Sequence, residues 1–321
     1  MNFQSPAFRT RLRQFLSEDI GRGDLTTDAL VEPGRRGRAE IVAKAAGVIA
    51  GLPLLAPLFR ILDRRVRVRL RAKDGARVRP GDVAAVVDGP LRALLTGERT
   101  ALNLLQRLSG TATLTRRFVD AARGTPVRIL DTRKTTPGLR DLEKYAVTCG
   151  GGTNHRMGLH DAAMLKDNHP ALHGADEAAE LFERAARSVL DRRSTASPIS
   201  GGAPARALAR FAELARRVET LRRRIPSGGF LEIEASTPGR AKLAAALGAD
   251  VILLDNMTSA QIRRCVRIIR RLRGRDVRIE ASGNMNLRRI PSVAATGVDW
   301  ISVGALTHSA PALDLSMKWV H

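Results

Sequence analysis

The sequence predicts an α/β protein in which a small antiparallel domain precedes a parallel sheet built from repeated β–α units. Three observations carry that prediction. Residues 37–90 read as β-rich, with a clean period-2 run and turn residues between strands. After residue 125, short apolar runs alternate with helical stretches, the pattern of a parallel sheet covered on both faces. The runs number at least six, which favours a barrel over an open sheet, although pattern alone does not separate the two.

The elements follow in order. Residues 3–19 read as a helix and EDIGRGDLTT (18–27) as a loop with two glycines. RAEIVAKAAGVIAG (38–51) gives one strand, and VRVRLRAK (66–73) alternates with period 2. Asp74-Gly75 and Pro80-Gly81-Asp82 supply turns between them. Residues 91–122 carry apolar positions at helical spacing, with one break expected near Ser109-Gly110. The later strands are VRILD (127–131), AAMLK (162–166), FLEIE (230–234), VILLD (251–255), VRIEA (277–281) and WISVG (300–304). Residues 171–229 interrupt the rhythm with an Arg/Ala helical pattern. Within them RRSTASPISGGAPA (192–205) reads as a flexible surface loop.

Composition narrows the function classes. With 321 residues, 44% of them hydrophobic, the chain can build a sizeable core. The apolar runs are too short to span a bilayer, and MNFQSPAFRTRLRQFL lacks the apolar core of a signal peptide. Cys149 and Cys265 are far apart and show no metal or redox spacing. They fit a reducing cytoplasm, and Cys149 reads as a packing residue. The net charge of +22 suggests nucleic acid at first sight. Only seven lysines contribute, aromatics are 3%, and the arginines are scattered, as at Arg11, Arg64, Arg223 and Arg271. Base stacking therefore has little to work with. Arginine on solvated faces accounts for the excess best, a field for small polyanions next, and a nucleic-acid surface least.

The strand ends carry the chemistry. Arg133 and Lys134 follow the first late strand, Lys166 closes the second, Glu234 the third and Asp255 the fourth. Ser282-Gly283 follows the fifth and Gly304-Ala305 ends the last. In an α/β barrel those ends converge on one mouth. Arg133, Lys134, Arg156 and Lys166, with His155 beside them, suit a substrate with several anionic groups. Glu234 and Asp255 suit a divalent metal, sugar hydroxyls or a developing cation. The turns ASGN (281–284) and VGALTH (303–308) suit a phosphate. His155 reads equally well as a structural histidine or a ligand contact, and surface or internal ion pairs remain the bland reading of the charged residues.

A resemblance sharpens this. DTRKTTPGLRDLEKYAVTCGGGTNHRMGLHDAAMLKDNH (131–169) is similar to the signature of the quinolinate phosphoribosyltransferases. EDIGRGDLTT, GERTALNLLQRLSG (97–110), LLDNM (253–257), EASGN (280–284) and SVGALTHSAPALDLS (302–316) resemble the same family in order and spacing. The resemblance implies an N-terminal α/β sandwich over 1–108 and an incomplete α/β barrel of the seven-stranded type over 109–304, with 171–229 inserted. A C-terminal segment, 305–321, returns to the first domain. It implies that quinolinate and phosphoribosyl pyrophosphate give nicotinate mononucleotide, pyrophosphate and carbon dioxide, with Mg²⁺, in NAD biosynthesis.

By the same resemblance, Arg133, Arg156 and Lys166 bind the dicarboxylate. Arg99 reaches across subunits, so a homodimer shares its active sites, with assembly beyond the dimer left open. Lys134, Glu234 and Asp255 serve the phosphoribosyl group, the two acids also the metal, directly or through water or substrate. Ser282, Gly283, Asn284, Val303, Gly304 and Ala305 form phosphate turns, and Thr132 and His155 complete the substrate set. Two departures stand out. Ser236 occupies a position where the family usually carries an acid, and the gap from Lys166 to Glu234 is about forty residues longer than expected. Two rival readings are a molybdenum-transport-associated homologue with similar architecture, and an Arg-rich nucleic-acid binder retaining a dead barrel.

Overall fold

The structure is a computed structural model that describes residues 1–166, 169 and 202–320. Most of the expected surface loop (192–201) therefore lies outside the described residues. Its last positions do not form a loop: 202–205 open a helix. The chain divides into two compact units. One comprises Met1–Asp120, Lys134–Asn154 and Gly304–His321, the other Ala121–Arg133 and His155–Val303.

In the first unit, α1 (Pro6–Ile20) starts on a Ser5 cap, with Pro6 at its first turn. The expected loop after it is partly helical: Asp24 caps a short helix, α2 (Leu25–Leu30), by accepting from Thr27 N–H. The single strand expected over 38–51 is split into β1 (Arg36–Ala43) and β2 (Gly47–Val48). The helix α3 (Leu55–Leu62) follows, then β3 (Arg67–Leu70), β4 (Arg77–Val78) and β5 (Val83–Pro90). The C-terminal strand β12 (Leu315–Trp319) pairs antiparallel with β1, giving a four-stranded sheet ordered β12-β1-β5-β3. Cys149 packs against the apolar core of this unit, as its sequence setting suggested.

The helix α4 (Leu91–Ala121) is continuous for 31 residues, so the break expected near Ser109-Gly110 does not occur. Those small residues serve packing instead. Ser109 Oγ accepts from Ala50 N–H at 3.0 Å, and a β-carbon at Gly110 would lie 2.0 Å from the Pro311 carbonyl oxygen. Glycine is required because main chain passes directly over the helix there. Local propensity predicted a weak point; tertiary contact fills it.

The second unit is built on six parallel strands: β6 (Arg128–Leu130), β7 (Ala163–Leu165), β8 (Leu231–Ala235), β9 (Val251–Asp255), β10 (Arg278–Ser282) and β11 (Trp300–Ser302). Each late apolar run of the sequence overlaps one of them, β8 and β10 ending one residue beyond their runs. They are ordered β6-β11-β10-β9-β8-β7, so consecutive strands pair and the last pairs with the first. Among the described residues, only β6 and β7 are successive strands without a ladder between them, so the ring is open along one seam. Crossover helices cover it. α7 (Pro238–Ala246) begins on Thr237, and α8 (Ser259–Arg273) on a Thr258/Gln261 capping box. The helix over Gly202–Arg222, α6, precedes β8, and the short α9 (Ile290–Ala294) lies between β10 and β11; α5 (Arg140–Cys149) belongs to the first unit.

Candidate active site

Because all six strands run the same way, their C-terminal ends share one edge of the sheet. Thr132 and Arg133 follow β6, Lys166 follows β7, Glu234 is the next-to-last residue of β8, and Asp255 and Ser282 end β9 and β10. Val303 follows β11. These predicted residues therefore stand along one rim of the second unit. Lys134, Gly304 and Ala305 belong to the first unit, as does Arg99, which is exposed on α4.

Three groupings on the rim have definite geometry. Lys166 Nζ lies 3.4 Å from Glu234 Oε2. Arg133 and Arg156 are close enough that, with burial, the Arg133 charge lowers the pKa of Arg156. The Arg156 guanidinium is held from behind by the Ala162 carbonyl at 3.0 Å. Two neighbouring, half-buried guanidinium groups repel one another, and a ligand bearing two negative charges relieves that repulsion.

The third grouping joins the ends of β9 and β10. Asn256 N–H donates to the Ser282 carbonyl at 3.1 Å, and Asn284 Nδ2 donates to Asn256 Oδ1 at 3.1 Å. Asn256 Nδ2 in turn donates to Asp255 Oδ2 at 2.6 Å. Asn256 and Asn284 both adopt positive φ, 52° and 50°, which asparagine tolerates better than most residues. Arg289 clamps the two turns from outside through the Gly283 and Met257 carbonyls. Sequence reasoning missed Asn256 and Arg289. The Asp-Asn pair of LLDNM was the available signal for the first, and nothing local marked the second.

Beneath the rim lies a group that the sequence reading did not find. Side chains two apart on a strand share a face, so Glu232 sits one layer below Glu234, and Glu280 one layer below Ser282. His155 Nε2 is 3.1 Å from Glu232 Oε2 and 3.3 Å from Glu280 Oε2, and all three residues are buried. The His155 N–H is anchored by Asp131 Oδ1 at 2.9 Å. Burial and the Glu280 charge push Glu232 up to about 7. For His155, burial opposes charge while hydrogen bonds and charge from Glu232 and Glu280 favour it, with a net rise to about 10. That rise conflicts with the main chain, since Arg156 N–H donates to His155 Nδ1 at 2.8 Å. The hydrogen bond is the firmer guide, because an imidazolium has no lone pair at Nδ1. The ring is then neutral with its proton on Nε2, facing the carboxylates.

The same three residues have ligand atoms within 4.8 Å of one another, as a metal site would. The tautomer speaks against it. A histidine that binds metal through Nε2 carries its proton on Nδ1 and donates from there, whereas this Nδ1 accepts. The cluster is better described as a buried group of two carboxylates set against His155, whose main chain is tied to Asp131 and whose Nδ1 accepts the Arg156 N–H. Ser236, the departure noted in the sequence, is exposed just beyond β8.

Fold and rim together define an α/β-barrel enzyme that handles anionic substrates. Comparison with known proteins names the group. Residues 24–109 match the family described as quinolinate phosphoribosyl transferase, N-terminal domain, and residues 111–195 and 206–318 match its C-terminal domain. A probable nicotinate-nucleotide pyrophosphorylase [carboxylating] of Synechocystis sp. is 41% identical over 96% of this chain and 91% of its own length. The nicotinate-nucleotide pyrophosphorylase [carboxylating] of Mycobacterium leprae is 38% identical over 97% of this chain and 96% of its own. The crystal structure of NadC from Streptococcus pyogenes superposes with a TM-score of 0.80 at 35% identity, covering 100% of both chains. The chain belongs to the quinolinate phosphoribosyltransferase family.

Proposed function

We propose that this protein joins the nitrogen of quinolinate to the ribosyl carbon of phosphoribosyl pyrophosphate. Pyrophosphate and carbon dioxide leave, and nicotinate mononucleotide is formed for NAD biosynthesis. Beside the family membership, the observation that carries this reading is the gathering of Arg133, Lys166, Glu234 and Asp255 at the C-terminal edge of one parallel sheet, with Arg156 near Arg133. Two adjacent guanidinium forks match a ligand with two carboxylates on adjacent ring atoms better than any singly charged one.

The residues divide the work by sign. Arg133, Arg156 and Lys166 hold the two ring carboxylates and set the ring nitrogen towards the sugar. Such positioning lowers the barrier by prepaying orientation. As pyrophosphate departs with its electron pair, the ribosyl carbon gains cationic character, which Glu234 and Asp255 stabilise. In the first unit Lys134 and the Gly304–Ala305 turn, and in the second the turn of Ser282, Gly283 and Asn284, are the groups suited to phosphate. After N-glycosylation the nitrogen is positive. The carboxylate beside it then leaves as carbon dioxide, its bonding pair stays on the ring carbon, and a proton completes the product.

Glu234 and Asp255 offer hard oxygen donors on neighbouring strands. Among the described residues they do not form a cluster of three ligands. That fits Mg²⁺, which is commonly held by one or two carboxylates, water and substrate phosphates. When bound, the ion would neutralise charge on the departing pyrophosphate. The exposed Arg99 supports the reading of a homodimer in which this side chain serves the partner's site. Free Cys149 and Cys265, and the absence among described residues of any helix long and apolar enough to cross a membrane, support a cytoplasmic enzyme.

The test is direct. Purified protein is incubated with phosphoribosyl pyrophosphate, Mg²⁺ and quinolinate labelled in its 2-carboxylate. The expected result is stoichiometric release of labelled carbon dioxide and nicotinate mononucleotide. Absence of release, with the protein folded, overturns the proposal in favour of the molybdenum-associated homologue or a non-catalytic role.

A further inference from the structure

The first unit contains an ion pair that the reaction does not use directly. Glu143 is fully buried. Its Oε1 accepts from Arg107 Nη2 at 2.6 Å, Arg107 Nε at 3.1 Å and Thr136 Oγ1 at 2.8 Å, and its Oε2 accepts from Thr136 N–H at 3.0 Å. Arg107 continues past this carboxylate. It donates to the Thr307 carbonyl and, at 3.1 Å, to the Ala310 carbonyl. Both carbonyls lie at the end of the short helix α10 (Ala305–His308), where the helix itself supplies no donors.

The network then closes on two predicted site residues. The buried Thr307 hydroxyl donates to the Lys134 carbonyl at 2.7 Å and shares its proton with the Gly304 carbonyl at 3.2 Å. The Lys134 stem runs across Gly304, where a β-carbon would come within 3.1 Å of Lys134 Cδ and 3.0 Å of His308 Nε2. Segment 134–136 is thus fastened at one end through Thr136 to Glu143, and at the other through Thr307 to the start of α10.

We infer that Arg107 and Glu143 are positioning residues: through Thr136 and Thr307 they fix Lys134 against the Gly304–Ala305 turn and so set the grip on the phosphoribosyl donor. This rests on the phosphoribosyl transfer proposed above. A buried ion pair is poor insurance for stability alone, because apolar groups of equal volume hold a fold as well. What an apolar pair lacks is the fork, which links one carboxylate to two carbonyls on a separate segment. Neither residue reaches a substrate in this account; both act through Lys134 and the turn.

The experiment compares wild type, Arg107→Lys and Thr307→Val, each alone and with Lys134→Ala. Arg107→Lys keeps the charge and loses the fork; Thr307→Val leaves the ion pair intact and removes only the hydroxyl. Initial rates are measured against donor and quinolinate separately, and thermal midpoints are recorded. Each single variant is expected to lower kcat/KM for the donor by about tenfold while the KM for quinolinate stays within about twofold. In the Lys134→Ala background neither change should cost more than about a further twofold, as groups acting through one residue are not additive. The inference fails if both substrates weaken equally, if the losses multiply with that of Lys134→Ala, or if wild type turns over and Thr307→Val, folded, leaves donor kcat/KM unchanged. A wild type that releases no carbon dioxide instead sinks the functional reading on which the inference rests.

Discussion

Gly283 lies directly beneath the Asn256 side chain: a β-carbon at Gly283 would stand 2.2 Å from Asn256 Oδ1 and 2.8 Å from Asn256 N. Gly283 also has φ +88°. Two independent constraints therefore exclude any other residue. The turn needs a left-handed conformation, and it needs the space that a methyl group would take. Asn256 stands between Asp255 and Asn284, so displacing it disturbs the acid at the end of β9 as well as the turn after β10.

Gly283→Ala should accordingly destabilise the protein by about 1–3 kcal/mol from the backbone alone, with more from the overlap. It should also lower donor kcat/KM, because Asp255 and the turn both move. Combining it with Asn256→Ala removes the side-chain part of the clash and should return some of the lost stability. Chemical denaturation of the two variants decides the point; an undisturbed Gly283→Ala would show that the turn is not held as described.

Arg133→Ala should weaken quinolinate by at least about tenfold, as expected for a lost charge-assisted hydrogen bond. The KM for phosphoribosyl pyrophosphate should change little. Burial first, and the Arg133 charge second, lower the Arg156 pKa, so the two guanidinium groups share one neighbourhood. Equal losses for both substrates in steady-state kinetics would assign this arginine to the donor instead.

Glu232 gives stability a defined pH dependence. Burial first, and the Glu280 charge second, raise it from an ordinary 4.5 to about 7 in the folded protein. Between those values the folded state keeps a proton that the unfolded chain releases, so the Glu232 contribution falls as pH rises, opposed by His155, which is neutral when folded and gains a proton on unfolding below about 6.5. The contribution is whole below about 4.5 and lost above about 7. Glu232→Gln, which mimics the protonated form, should flatten this fall. Urea unfolding at pH 5 and pH 7.5 measures it, and an unchanged slope would remove Glu232 as its source.

Arg99→Ala and Lys166→Ala should each abolish turnover when pure, yet regain about a quarter of wild-type activity when mixed in equal amounts and allowed to exchange subunits. Half of the dimers in such a mixture are hybrids, and each hybrid restores one intact site of two. Rates that stay at background after verified exchange would place Arg99 within the site of its own chain.

The strand-end chemistry was legible because a charged residue closing an apolar run is costly without a purpose. Arg133, Lys166, Glu234 and Asp255 all stand where their runs suggested. Glu232 and Glu280 were not legible in the same way. They lie inside strands, and a one-dimensional pattern does not tell an inward glutamate facing a histidine from an outward one facing solvent. The helix break expected at Ser109-Gly110 failed for a related reason: propensity registers a small residue as a weak point, whereas the Pro311 main chain needs that smallness.

By itself the sequence determined the β–α rhythm, the sign of the charge at each strand end and, through ordered motifs, the family. Those properties are local, set by periodicity and residue type along a single stretch. Only the tertiary structure decided which groups meet: His155 with Glu232 and Glu280, Asn256 over Gly283, Arg107 and Glu143 behind Lys134. His155 and Glu280 stand 125 positions apart, Asn256 and Gly283 27, and Arg107 and the Ala310 carbonyl it holds 203. No local periodicity encodes those separations, because packing alone brings the segments together.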